Sequence, residues 1–156
     1  MQMEPIMEKS KMMQFKGYEV KKLSIDGTKP IKKDVEENNL NIMYKIIPQD
    51  ETFTKANVFQ GVLIEATKIF PYEVEVAIQG NFQLSEEGTV EDKKVLLLQN
   101  AAAVLFPYVR SLVSLLTSQT NFNNLILPTM NFMAVIEDSL DPADIFLGKE
   151  NFFDFE

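Results

Sequence analysis

The chain contains no cysteine and no histidine. Without cysteine there can be no disulfide and no thiolate nucleophile. Without histidine there is no imidazole base, and the nitrogen and sulfur ligand sets of structural zinc cannot be assembled. An enzyme made from this chain would have to work with carboxylates, lysine, tyrosine or hydroxyls. No P-loop, GxGxxG or GxSxG spacing is present, so catalysis has no positive signature, and no metal or cofactor is expected. No run approaches the roughly 18 apolar residues that span a bilayer, and the opening MQMEPIMEKSKMM lacks the apolar centre of a signal peptide. A cytoplasmic protein without membrane insertion is expected, and the missing cysteines suit a reducing compartment. Cations are in the minority. With 15 Lys and Arg against 23 Asp and Glu the formal net charge is -8, which argues against nucleic acid or an anionic membrane as partner.

What is present is enough for a core. A hydrophobic fraction of 46% over 156 residues implies one domain, and excludes general disorder. Residues 1–11 are polar, Met-rich and aperiodic and read as a loose terminus. The domain is assigned to residues 12–140, and residues 141–156 form an acidic-aromatic tail.

From Met12 to Ile25 strand-type residues dominate, yet the apolar parity switches between Phe15 and Tyr18 and again before Leu23, which predicts a bulged strand. Residues 26–39, DGTKPIKKDVEENN, carry the glycine, proline and charges of an exposed connection. Leu40, Ile42, Tyr44 and Ile46 alternate with Asn41, Met43 and Lys45 as in a half-buried strand ended by Pro48. A third strand lies between Phe53 and Ile69. Both its faces are largely apolar, so it should be covered on both sides or paired across chains. The fourth is the most regular, with Tyr72, Val74, Val76, Ile78, Phe82 and Leu84 on one parity and Glu73, Glu75, Gln79 and Gln83 on the other. One of its faces should meet a helix and the other water.

The segment from Asn100 to Phe132 organises the rest. Val109, Leu112, Val113 and Leu116 recur at helical spacing, and Ser111, Ser114 and Ser118 lie opposite them as small polar residues that let a second helix approach. Val90 to Gln99 is read as a short helix before this central one, which bends at Pro107. Beyond Thr120, Leu125 and Leu127 alternate and Pro128 forbids a helix, so residues 121–130 should be extended. A second short helix comes after Phe132 and ends at Asp141 and Pro142. The whole is an α+β domain: a four-stranded antiparallel sheet covered on one face by a long helix, with a short C-terminal helix.

The run Leu105-Phe106-Pro107-Tyr108, Arg110, Phe122, Leu125, Leu127 and Asn131-Phe132 resembles the SecB family of export chaperones. The order of strands before it and the short helix after it fit the same pattern over residues 12–140. The resemblance implies an ATP-independent chaperone that holds unfolded preproteins or nascent polypeptides in an apolar groove for Sec-dependent export, assembled as a homotetramer, a dimer of dimers. It implies that Leu40, Ile42, Tyr44, Leu125, Leu127, Phe132 and Ile136 line the groove. It also implies that Asp26, Glu73 and Glu75 form an acidic surface for the export motor SecA. Extended clients suit such a groove, since backbone hydrogen bonding is sequence-independent and shallow apolar pockets accept varied side chains. Ser111, Ser114 and Ser118 are assigned to the oligomer interface. Three other readings stand beside this one: a SecB-like chaperone dedicated to an antitoxin, a carrier of a small apolar ligand between sheet and helix, and a structural adaptor. The plain alternative for the groove residues is ordinary core, and for Glu73 and Glu75 a solvated strand face.

Overall fold

Period-two segments joined by glycine- and proline-bearing turns produce four strands, and a computed structural model describes them in residues 12–31 and 40–128. They are β1 (Met13–Asp26), β2 (Leu40–Pro48), β3 (Lys55–Ile64) and β4 (Glu73–Leu84), followed by one helix, α1 (Val90–Thr117). The strands make one antiparallel sheet in the order β1-β4-β3-β2. The N-terminal residues, most of the connection before β2, Phe132, Ile136, the expected second helix and the tail lie outside the described residues.

The parity switches in β1 are bulges. Its pairing with β4 slips between Phe15 and Tyr18 and again between Val20 and Lys22. Gly17 sits in the first slip at φ 110°, a conformation open to glycine and costly for a side chain. The bulge returns Tyr18 to the helix side, where its ring centroid lies 4.4 Å from that of Tyr108.

α1 is a single helix, not the two expected on either side of residue 100, and Pro107 lies inside it. Proline removes one hydrogen bond to the carbonyl four residues back, that of Ala103. Both residues stand on the exposed side of α1, where solvent can reach the unpaired group. Thr89 caps the N-terminus, its hydroxyl accepting from the Asp92 N–H at 3.1 Å, and Glu91 and Asp92 complement the helix dipole. By length and composition α1 could cross a membrane, with a mean hydropathy of 1.4 in its most apolar window. Its apolar face is instead packed on the sheet: Leu97, Ala101, Leu105, Val109 and Val113 meet Val58, Val62, Val74, Val76 and Ile78 in the main core. Gly80 permits the close approach, since a Cβ there would come within 2.6 Å of Leu105 Cδ2. Truncating Leu97 or Leu105 to alanine should cost about 2–5 kcal/mol.

The opposite face of the sheet is less open to water than alternation alone suggests. Met43, Phe59 and Ala77 are buried there, with Ile47 and Leu63 packed against them, so both faces of β3 carry apolar clusters. Strand alternation reports which residues share a face, not how much of that face is covered.

Candidate functional site

After α1 the chain turns back and runs along it. Ser118 closes the helix, and residues 121–128 have no partner strand among the described residues. Their backbone is bonded instead to side chains spaced at three and four along one stripe of α1. Thr117 Oγ1 accepts from the Leu125 N–H at 2.7 Å, Ser114 Oγ donates to the Leu125 carbonyl at 3.0 Å, and Arg110 Nε donates to the Leu127 carbonyl at 2.6 Å. Thr117 is itself fixed by donating to the Val113 carbonyl at 2.8 Å. This stripe positions the segment so that Leu125 and Leu127 turn inward while Ile126 stands 66% exposed.

Across from it, the chain leaving β3 makes a tight turn. The Thr67 N–H donates to the Phe70 carbonyl at 2.9 Å, and the Phe70 N–H donates to Thr67 Oγ1 at 3.1 Å. The turn thrusts Ile69 into solvent, 68% exposed, while Phe70 is buried beneath it. Between this turn, the start of β2 and residues 125–127 lies a cavity of about 270 Å³ lined by Leu40, Ile64, Thr67, Ile69, Phe70, Leu125, Ile126 and Leu127. Among the described residues Thr67 is the one polar member of the lining, and its hydroxyl is used within the turn. Phe122 closes one end through edge contacts with Phe70 at 5.9 Å and Tyr72 at 6.0 Å. With two isoleucines exposed at its rim, the cavity opens to solvent as a groove.

Of the residues expected to line it, Leu40, Leu125 and Leu127 do. Ile42 is half-buried against the core beside them. Tyr44 is a correction: it is fully buried under α1, and its hydroxyl donates to the Leu97 carbonyl at 3.4 Å. Burial raises its pKa far above the usual phenol value. A residue of the right parity but two pairs further into the strand is core, because α1 covers β2 at that depth. Phe132 and Ile136 lie outside the described residues. Sequence reasoning missed the turn residues Thr67, Ile69 and Phe70, and the signal for them was the apolar pair beside Pro71, at odds with an ordinary exposed turn.

The three acids expected to act together are brought together. Asp26 pairs with Glu73 across β1 and β4, and Glu75 lies two residues along on the same face, 3.1 Å from Lys22 Nζ. The Thr28 hydroxyl and then the Thr28 N–H hold the Asp26 carboxyl below its ordinary pKa, with Lys29 adding to this. Among the described residues no group of three acidic side chains is arranged to hold a metal ion.

Ser111 and Ser118 are exposed, whereas Ser114 is half-buried and bonded to the Leu125 carbonyl, holding the segment that lines the groove. Along the exposed side of α1, Glu91 begins a row that continues through Val95, Gln99, Ala103, Pro107, Ser111 and Leu115 without a further charge.

Residues 8–142 match the family described as preprotein translocase subunit SecB. The chain belongs to the SecB family. It is 28% identical over 117 residues to the protein-export protein SecB of Ehrlichia canis, covering 71% of this chain and 64% of that protein. It is 33% identical over 75 residues to the SecB of Anaplasma phagocytophilum, covering 47% and 48%. The matches thus span less than two thirds of the first SecB relative and about half of the second. Among solved structures, the Mycobacterium tuberculosis Rv1957 SecB-like chaperone, in complex with a ChAD peptide from the Rv1956 HigA1 antitoxin, superposes with a TM-score of 0.61 at 13% identity. The superposition covers 82% of this chain and 96% of that one, and it shows a shared SecB fold.

Proposed function

We propose that the protein is an ATP-independent chaperone that holds unfolded or nascent polypeptides in the groove between the turn at residues 67–70 and the segment at residues 125–127. The observation that carries this reading is the pair of exposed isoleucines, Ile69 and Ile126, in the lining of one apolar cavity that no described element covers. An isolated exposed isoleucine needs no explanation, but two at the lips of one apolar groove favour a partner. Extended polypeptide fits because, among the described residues, 121–128 have no partner strand and the lining offers almost no polar group to select a sequence. The open rim speaks against a closed carrier of small ligands.

Membership of the SecB family supports a role in protein export in the cytoplasm, with the row of Asp26, Glu73 and Glu75 as the contact for basic segments of SecA. The uncharged row of α1 from Val95 to Leu115 is the surface for a second copy, in a tetramer built as a dimer of dimers. A chaperone dedicated to an antitoxin is the second reading, supported by the antitoxin peptide bound to the solved relative.

The test is suppression of aggregation of a chemically unfolded protein diluted into buffer without nucleotide. Near-stoichiometric protein should suppress it, and Ile69→Asp should not, while keeping the far-ultraviolet circular dichroism of the unmutated chain. Aggregation unaffected by the unmutated protein would end the proposal.

A further inference from the structure

The described chain leaves at Pro128, directly after the residues that form one lip of the groove. The C-terminal end of the sequence is chemically unusual. Ile145, Phe146, Leu147, Phe152, Phe153 and Phe155 crowd into the last dozen residues, interleaved with Asp144, Glu150, Asp154 and Glu156. Each such side chain loses about 1.5–3 kcal/mol by staying in water, and a group of them is an aggregation liability unless covered.

We infer that residues 143–156 dock in the groove of their own chain and occupy it until a client displaces them, an inference that deepens the chaperone reading and rests on it for the displacement step. Reach is not limiting, because the 17 residues from Pro128 to Ile145 extend to at most about 55–60 Å. Size fits as well: a cavity of about 150 Å³ takes a benzene-sized group, and this one, of about 270 Å³, takes an aromatic ring with space left over. The sequence supplies the pattern an extended guest needs. In a strand Phe153 and Phe155 point one way and Asp154 and Glu156 the other, so rings enter the groove while carboxylates stay in water. Tethering gives the segment a high effective concentration, so even weak contacts suffice to occupy the site.

The absence of cysteine makes the test direct. In the full-length chain, Ile126→Cys combined with Phe153→Cys should form an intrachain disulfide under oxidised glutathione, on the order of tenfold faster than Lys55→Cys combined with Phe153→Cys. Lys55 is exposed at the far end of β3 on the opposite face. Equal rates for the two pairs, no cross-link in either, or a cross-linked dimer in place of the intrachain product would overturn the docking. An unfolded client should slow the first cross-link. If an unfolded polypeptide binds to the protein and the rate does not change, displacement is overturned. If none binds to any variant while the cross-link still forms, docking is upheld and the chaperone reading fails on its own.

Discussion

Gln60 sits buried at the centre of β3 between its cross-strand neighbours Tyr44 and Ile78, and among the described residues neither end of its side-chain amide has a hydrogen-bond partner. A buried unpaired polar group costs about 1–3 kcal/mol, and replacing it by an apolar group of similar shape removes that cost. Gln60→Leu should therefore raise the free energy of unfolding by about 1 kcal/mol or more in urea titrations, and a loss would mean that the amide has a role these contacts do not show. Asp50 is the opposite case. At the β2–β3 turn its carboxylate accepts from the Thr54 hydroxyl, from the Thr54 N–H at 2.9 Å and from the Thr52 hydroxyl at 3.1 Å. The Thr54 hydroxyl first, then the Thr54 N–H, and to a lesser degree Thr52, hold its pKa below the ordinary 3.8. A depressed folded value means stability that is present above the unfolded pKa and lost as pH falls through the folded one. Melting temperatures followed from about pH 6 to about pH 2.5 should show a shallower acid decline in Asp50→Asn than in the unmutated protein.

At the scale of elements, the groove is held open by a helix stripe whose polar residues bond to backbone. Thr117→Val keeps the shape but leaves the Leu125 N–H without its acceptor, at a cost of about 1–3 kcal/mol. Arg110→Ala frees the Leu127 carbonyl on the same lip. Both should weaken binding of an extended apolar peptide more than they lower the melting temperature, which titration and calorimetry on the same samples would establish. The sequence made the strands legible because alternation is local: the bulged β1, the termination of β2 at Pro48 and the helix-facing parity of β4 all follow from neighbouring residues. It suggested a break at residue 100 that α1 does not have, whereas Pro107 was expected within the helix and its exposed position makes it tolerable there. The groove was half legible. Leu125 and Leu127 announce themselves by alternation, whereas Ile69 and Phe70 reach the site only through the path of a turn, and Tyr44 leaves it only because α1 lies overhead. Those are long-range facts that no local period carries.

For the whole molecule, the row Val95, Gln99, Ala103, Pro107, Ser111 and Leu115 carries no charge after Glu91 at its start. Leu115 is 59% exposed and Val95 50%. On the proposal that a second copy covers this row, Leu115→Arg or Ser111→Arg should shift the mass measured by light scattering to a smaller species without loss of helix content. Client binding at the groove is read by equilibrium titration of a fluorescently labelled unfolded polypeptide without nucleotide. The unmutated protein should bind saturably. Ile126→Asp, folded by circular dichroism, should bind about tenfold more weakly or worse, since one buried isoleucine is worth about 1.5–3 kcal/mol. Equal affinity in the two proteins, or no binding by either, would rule out the groove as the client site.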